Sequence, residues 1–354
     1  MQEPIKVRST FGDYTVSWVD SIDPGFDLYI VDANLKMKVN NLSPNSIVWI
    51  DASENNKSYD HCAKIFEQLI ARKLSKNTQV AVIGGGIIQD IASFVSCLYK
   101  RGLTWYFYPS TLLAAVDSCI GSKISINFNT TKNIIGTYYP PKAVYIHDQF
   151  FKSLPTIQKL SGTAEALKVF LLRNNQRGLS KLKELLTADN LDANDTANLN
   201  DLIFLALEDK KYFIELDEFD AGARRLMNLG HSFGHAIEAD TRFEIPHGIA
   251  VAIGIILCHM TSAKILNKSF CDREKQAVFL AELIIKKAID AGLSVERLDG
   301  TGVFNQLKND KKNSGNKFGL ILFDDDYYLA EVEQNDTTLS IVNSCVEEFK
   351  CGFV

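Results

Sequence analysis

Five short apolar runs dominate the first 150 residues of the chain. They are DLYIVD (27–32), SIVWID (46–51), QVAVIGGG (79–86), TWYFYP (104–109) and AVYIHD (143–148). Within each run hydrophobic side chains fall at odd and even positions alike. Successive residues of a strand point to opposite faces, so a run of this kind is buried on both sides. Segments with helical apolar spacing lie between them at 59–72 (YDHCAKIFEQLIAR) and 89–100 (QDIASFVSCLYK). Doubly covered strands alternating with helices predict a parallel sheet.

After Pro155 the hydrophobic period changes to that of helices, over 157–173, 179–187, 197–215, 224–240, 248–267, 272–292 and 302–309. One strand pair, KFGLILF (317–323) and YYLAEVE (327–333), comes late. The polar stretch 188–199 reads as an exposed loop. The expected fold is an α/β, Rossmann-like N-terminal domain over 1–152, followed by a mainly α-helical domain over 153–354.

Composition narrows the function. Hydrophobic content of 46% with 23% charge is that of an ordinary globular enzyme, and a net charge of -5 gives nucleic acid or an acidic membrane little to hold. The seven cysteines form no CxxC pair, as expected of reduced thiols in the cytoplasm. The first residues lack an apolar signal core, and no run reads as the roughly 18 apolar residues of a membrane span. A cytoplasmic location is expected.

In AVIGGGIIQD, glycines sit between a buried strand and a helix. Gly85 and Gly86 allow backbone amides to approach a pyrophosphate, with Asp90 at the helix start. The spacing is not GxGxxG, so a simple tight turn reads equally well. Asp32 and Asn34 close the first run, where a carboxylate commonly accepts from ribose hydroxyls; Glu54 and Lys57 follow the second. Together they suggest a dinucleotide cleft. The stretch 109–144 reads as a long loop carrying Asp117, Lys123, Lys132 and Asn133, with Gly121 and Gly136 as hinges. Ammonium groups among glycine, serine and asparagine suit a dianionic phosphate.

The segment MNLGHSFGHAIEADTRFEIPHG (227–248) holds three of the six histidines, His231, His235 and His247. His231 and His235 are four apart and share a helix face, so both can reach one metal. The residues between them lack the glutamate of HExxH, which argues against a peptidase. Glu165 in GTAEALK is the best acidic third ligand, and two histidines with one glutamate make a common catalytic zinc set. Lys168 lies one turn along the same face. Spacing alone does not choose among the imidazoles.

GGGIIQDIASFVSCLYKRG, PSTLLAAVDSCIGSKISIN…KNIIGTYYPPKAV, GTAEALK, NLGHSFGHAIE…PHG and NDKKNSG occur in this order. Over about residues 80–323 the chain resembles the 3-dehydroquinate synthase family of sugar phosphate cyclases. The resemblance implies a divalent metal, zinc or cobalt, on Glu165, His231 and His247, with His235 turned to substrate phosphate. It implies NAD held by Asp32, Asn34, Glu54, Lys57, Gly85, Gly86, Asp90, Ser110, Thr111, Asp117 and Lys132. Asp117 and Lys168 would orient hydroxyls, and Lys210, Arg224 and Asn228 would contact carboxylate, hydroxyl or phosphate. Lys123, Asn133, Arg224 and Lys311 or Lys312 would cage the phosphate, joined by Arg101 from a neighbouring subunit of a homodimer.

The implied reaction is redox-neutral: phosphate elimination and intramolecular aldol cyclisation of a 2-keto-3-deoxy sugar acid phosphate. Ile249 stands where the family has an acid after HG, and Ser122 where it has the second glycine of GGK. TYYPPK is closer to 2-deoxy-scyllo-inosose synthases, while Asn228 matches dehydroquinate synthases. Rival readings are a paralogous cyclase of another sugar phosphate such as sedoheptulose 7-phosphate, a polyol dehydrogenase, and an inactive scaffold. A polyol dehydrogenase has no need of Lys123, Lys132 and Asn133.

Overall fold

All five apolar runs are strands in the computed structural model, which describes residues 2–129, 131–187, 196–310 and 313–353. They are β3 (Leu28–Asp32), β4 (Ile47–Ile50), β5 (Gln79–Gly84), β6 (Thr104–Pro109) and β9 (Ala143–Ile146). With β1 (Ile5–Val7) and β2 (Tyr14–Trp18) they form a seven-stranded sheet in the order β1-β2-β9-β6-β5-β3-β4. Every pairing is parallel except β1 with β2. All of β3 and five of the six residues of β5 are buried, as continuous apolar runs require. Helices α1 (Tyr59–Ala71) and α2 (Gly86–Leu98) follow β4 and β5, and the short α3 (Gln149–Lys152) follows β9.

The stretch 109–144, read as a loop, is largely regular. A π-helical turn spans Ala114–Ser118, and β7 (Lys123–Phe128) pairs antiparallel with β8 (Thr131–Tyr138). Alternation explains the hairpin: Ile124 and Ile126 are buried while Lys123, Ser125 and Asn127 are exposed or half-buried, and the register shifts between Ile126 and Phe128.

The chain divides into two units, Met1–Leu154 with Asn194–Asp220, and Pro155–Ala193 with Ala221–Val354. Helix α6 (Ala197–Leu216) therefore joins the sheet unit, rather than the helical half to which its periodicity assigned it. It brings Lys210 to the π-turn.

The second unit contains α4 (Thr156–Arg173), α5 (Gln176–Thr187), α7 (His231–Asp240), α8 (His247–Leu266), α9 (Asp272–Asp290), α10 (Gly300–Leu307), the antiparallel pair β10 (Lys317–Phe323) and β11 (Tyr327–Glu333), and α11 (Asp336–Cys351). Helix α8 has the length and hydropathy of a membrane span, at a mean hydropathy of 2.0, but 72% of that stretch is buried within the protein. It is a core helix. The single helix expected over 224–240 is split into a 3-10 segment, Ala223–Asn228, and α7. Gly230 makes the break with φ +75°, and α8 packs so closely there that a Cβ on Gly254 would lie 2.0 Å from the Gly230 carbonyl.

Candidate active site

Helix α4 turns Glu165 and Lys168 inward on one face. Their side chains are 1% and 2% exposed, and Lys168 Nζ lies 2.5 Å from Glu165 Oε2. The other oxygen, Oε1, faces His231 Nε2 at 3.5 Å and His247 Nε2 at 3.2 Å. Neither oxygen has a well-aligned hydrogen-bond donor among the described residues. A buried carboxylate without donors is costly unless charge compensates it. Here that charge comes from Lys168 and from His247, which faces Oε1 directly.

The imidazoles are aimed by what holds their other nitrogens. His231, the first residue of α7, places Nδ1 3.1 Å from the Leu229 carbonyl, and His247, the first residue of α8, places Nδ1 3.0 Å from Glu238 Oε2. A donor contact at Nδ1 leaves Nε2 as the ligand atom, and a carboxylate behind an imidazole raises its basicity. One potential ligand atom from each of Glu165, His231 and His247 lies within 4.8 Å of the others.

Electrostatics sharpen the picture. Burial pushes the Glu165 carboxyl up, yet Lys168 and the two histidines hold it well below the usual carboxylate range. Burial drives His231 down to about 3, so its Nε2 lone pair is available. Burial also opposes charge on His247, but the adjacent Glu165 and Glu238 carboxylates raise it to about 10. A cation held here would have to displace that proton.

His235 is exposed. Its ring centroid lies 5.5 Å from that of His231 and 5.7 Å from that of His247. With Glu238 and His247 it makes a second grouping of metal-ligand reach. The Glu165 grouping is the better fit for a metal, because only there does a buried carboxylate without aligned donors face two imidazole nitrogens. Glu238 escaped the sequence reading. Its signal was its place seven residues after His231, two turns on along the same helix face.

The remaining candidates of this unit lie on the 3-10 segment. Arg224 is buried, and Asn228 donates from Nδ2 to the Arg225 carbonyl at 3.0 Å. Lys311 and Lys312 lie outside the described residues.

In the sheet unit Gly85 caps α2, with no side-chain cap, and Gly86 is its first residue. Bare glycine amides at a helix start fit a pyrophosphate. Asp90 pairs with buried Lys57 at 2.5 Å, burial pushing its carboxyl up against the pull of that lysine. Glu54 accepts from Asn127 Nδ2 at 2.8 Å and lies 3.9 Å from Lys132 Nζ. Asp32 accepts on Oδ1 from the Asn34 amide at 2.9 Å. Ser110 is buried and donates its amide to the Gly84 carbonyl; Thr111 Oγ1 accepts from the Ala114 amide at 3.2 Å.

Asp117, in the π-turn, pairs with Lys210 at 2.6 Å. Lys123 pairs with Asp220, a partner the sequence reading did not name. Asn133 has φ 50° and its amide donates to Asn127 Oδ1 at 2.9 Å. Arg101 is exposed with φ 64°, in a turn with Lys100 and Gly102.

The 3-dehydroquinate synthase N-terminal family model matches residues 47–161, and the C-terminal one residues 162–313. The chain belongs to the 3-dehydroquinate synthase family. The 3-dehydroquinate synthase of Alkaliphilus oremlandii is 33% identical over 305 residues, covering 86% of this chain and 81% of that one. Solved structures share the fold. A 2-deoxy-scyllo-inosose synthase complexed with carbaglucose-6-phosphate, NAD+ and Co2+ aligns with a TM-score of 0.81 at 22% identity, covering 97% of this chain and all of that one. The 2-epi-5-epi-valiolone synthase of Streptomyces hygroscopicus subsp. jinggangensis, with NAD+ and Zn2+, aligns at 0.77 and 21% identity, covering 91% of both. In this chain Glu165 and the three histidines lie in the helical unit, and Gly85, Gly86 and the Lys123 hairpin in the sheet unit.

Proposed function

We propose that the protein is a 3-dehydroquinate synthase-type cyclase that expels phosphate from a 2-keto-3-deoxy sugar acid phosphate and closes the carbon chain into a ring. The observation that carries the reading is buried Glu165, which faces two imidazole nitrogens and Lys168 and lacks aligned donors, in a chain of this family. Glu165, His231 and His247 would hold a divalent cation, and Gly85, Gly86 and the strand-end polar residues a dinucleotide. When bound, the cation supplies a Lewis acid for adjacent hydroxyls and the nicotinamide a reversible hydride acceptor, so no net oxidation accumulates.

The chain's own groups position and hold charge. Lys168 keeps Glu165 ionised, and Glu238 fixes the His247 ring. Asp117 and Lys210 form an ion pair suited to orienting a substrate hydroxyl or carboxylate. Lys123 and Asn133 in the sheet unit offer charge and a hydrogen bond to a phosphate dianion, as Arg224 and His235 do in the helical unit, with Arg101 and Lys311 or Lys312 as further candidates. As the carbon–oxygen bond to phosphate breaks, the proton on the neighbouring carbon passes to the departing phosphate. Breaking the hemiketal carbon–oxygen bond then opens the sugar ring and frees its ketone, and the aldol step joins the enolate carbon to that carbonyl carbon, whose oxygen takes up a proton as the new hydroxyl. Such chemistry depends mainly on positioning and electrostatics.

The test is a release assay with six- and seven-carbon sugar phosphates, NAD+ and Zn2+. Inorganic phosphate should appear without NADH accumulating, and a chelator should abolish the release until Zn2+ or Co2+ is restored. Steady NADH production marks a polyol dehydrogenase instead. Ile249, fully buried where the family has an acid, and Ser122 favour including substrates beyond the sugar acid phosphate.

A further inference from the structure

Ser122 is the buried residue at the entrance to β7, directly before Lys123. Its hydroxyl donates to Glu218 Oε1 at 3.0 Å. The same carboxylate accepts from the Ser9 hydroxyl at 2.6 Å, and from the Thr10 amide and hydroxyl, each at 2.8 Å. Two residues on, Asp220 pairs with Lys123. Between them, the Phe219 carbonyl accepts from the Tyr138 hydroxyl at 2.8 Å, and Tyr138 stands opposite Lys123 in the hairpin register. The Ser122 carbonyl also accepts from the Tyr139 amide at 2.6 Å. Residues 218–220 thus tie both strands of the hairpin at its open end, and Glu218 ties the N-terminal segment to the same point.

We infer that Ser122 and Glu218 are positioning residues for Lys123, setting the direction in which its ammonium meets the substrate phosphate. The inference rests on the reading of Lys123 as a phosphate-binding group. Ser122 is buried and Lys123, the first residue of β7, is exposed, so anchoring the Ser122 side chain and carbonyl at the strand entrance fixes the way Lys123 leaves it. A long lysine side chain loses much rotamer freedom on binding, and a rooted backbone reduces what remains to be lost. Hydrogen bonds from Ser9, Thr10 and Ser122 outweigh burial and hold the Glu218 carboxyl below its usual range, so it stays an ionised acceptor.

The test is a double-mutant cycle on protein loaded with Zn2+ and NAD+, using Ser122→Ala, Glu218→Gln and both together. Inorganic phosphate binding is measured by calorimetry, NAD+ affinity is measured on the same variants, and KM and kcat come from the release assay. Each single change should weaken phosphate binding and raise KM about fivefold. The double variant should be no worse than either single, and kcat and NAD+ affinity should stay within about twofold. Should Glu218→Gln fail to fold, Ser122→Ala carries the test through the split between KM and kcat. Phosphate affinity unchanged by Ser122→Ala, effects that multiply in the double variant, or a parallel loss of NAD+ affinity each overturn the inference alone. Wild-type protein that binds no phosphate overturns the cyclase reading and this inference with it.

Discussion

His247 shows how much one side chain's neighbours decide. Its Nε2 faces Glu165 and its Nδ1 faces Glu238, so the ring is held from both ends before any cation arrives. Carboxylate partners of metal-bound imidazoles typically contribute 10–100-fold in affinity. Glu238→Gln should therefore weaken Zn2+ binding by about that factor in a competition titration with a chromophoric chelator. The same titration should show affinity rising as pH increases from 6 to 9. A folded pKa raised to about 10 means the metal-free ring is protonated through that range, and each rise in pH lowers the cost of removing the proton. The sign for stability is opposite: without metal, the protonated ring's contribution is fully present below about 6.5 and is lost as pH rises through about 10. That Glu165, His231 and His247 come together was legible only through the family resemblance, because spacing alone left all three histidines open. Glu238 was not, because a carboxylate on a helix is usually a solvated one and only the fold turns this one toward a ring.

The elements that carry these residues were read with uneven success. Doubly buried strands announced themselves through unbroken apolar runs, and the long helices through their period. The π-turn and the β7–β8 hairpin did not, because polar lysine and asparagine residues mask the alternation of Ile124 and Ile126. Helix α11 also went unread, although Asn335 caps it by accepting from the Thr338 amide. The break at Gly230 was missed because a single glycine inside a helical pattern is often tolerated. Close packing of α8 on that break gives a direct expectation for Gly254→Ala. The added methyl meets the Gly230 carbonyl and the Gly234 amide nitrogen at 2.0 and 3.0 Å, both backbone atoms that cannot rotate away. Chemical denaturation should show a loss of about 3 kcal/mol, and His231, next to the break, should bind metal more weakly.

Across the whole molecule, sequence order concealed one assignment. Helix α6 lies among helical segments in the chain but folds with the sheet unit, where Lys210 meets Asp117 across 93 positions. Periodicity reports an element's type and says nothing of which core receives it. Under the proposed function each unit would contribute its own part of the chemistry: a cation site in the helical one, and a pyrophosphate turn and phosphate-binding hairpin in the other. The account depends on the first of these. Metal analysis of purified protein and its alanine variants by inductively coupled plasma mass spectrometry tests it most directly. About one equivalent of divalent metal should accompany the wild-type protein and His235→Ala, and it should be absent from Glu165→Ala, His231→Ala and His247→Ala. Loss of metal from His235→Ala with retention in His247→Ala would contradict the assignment.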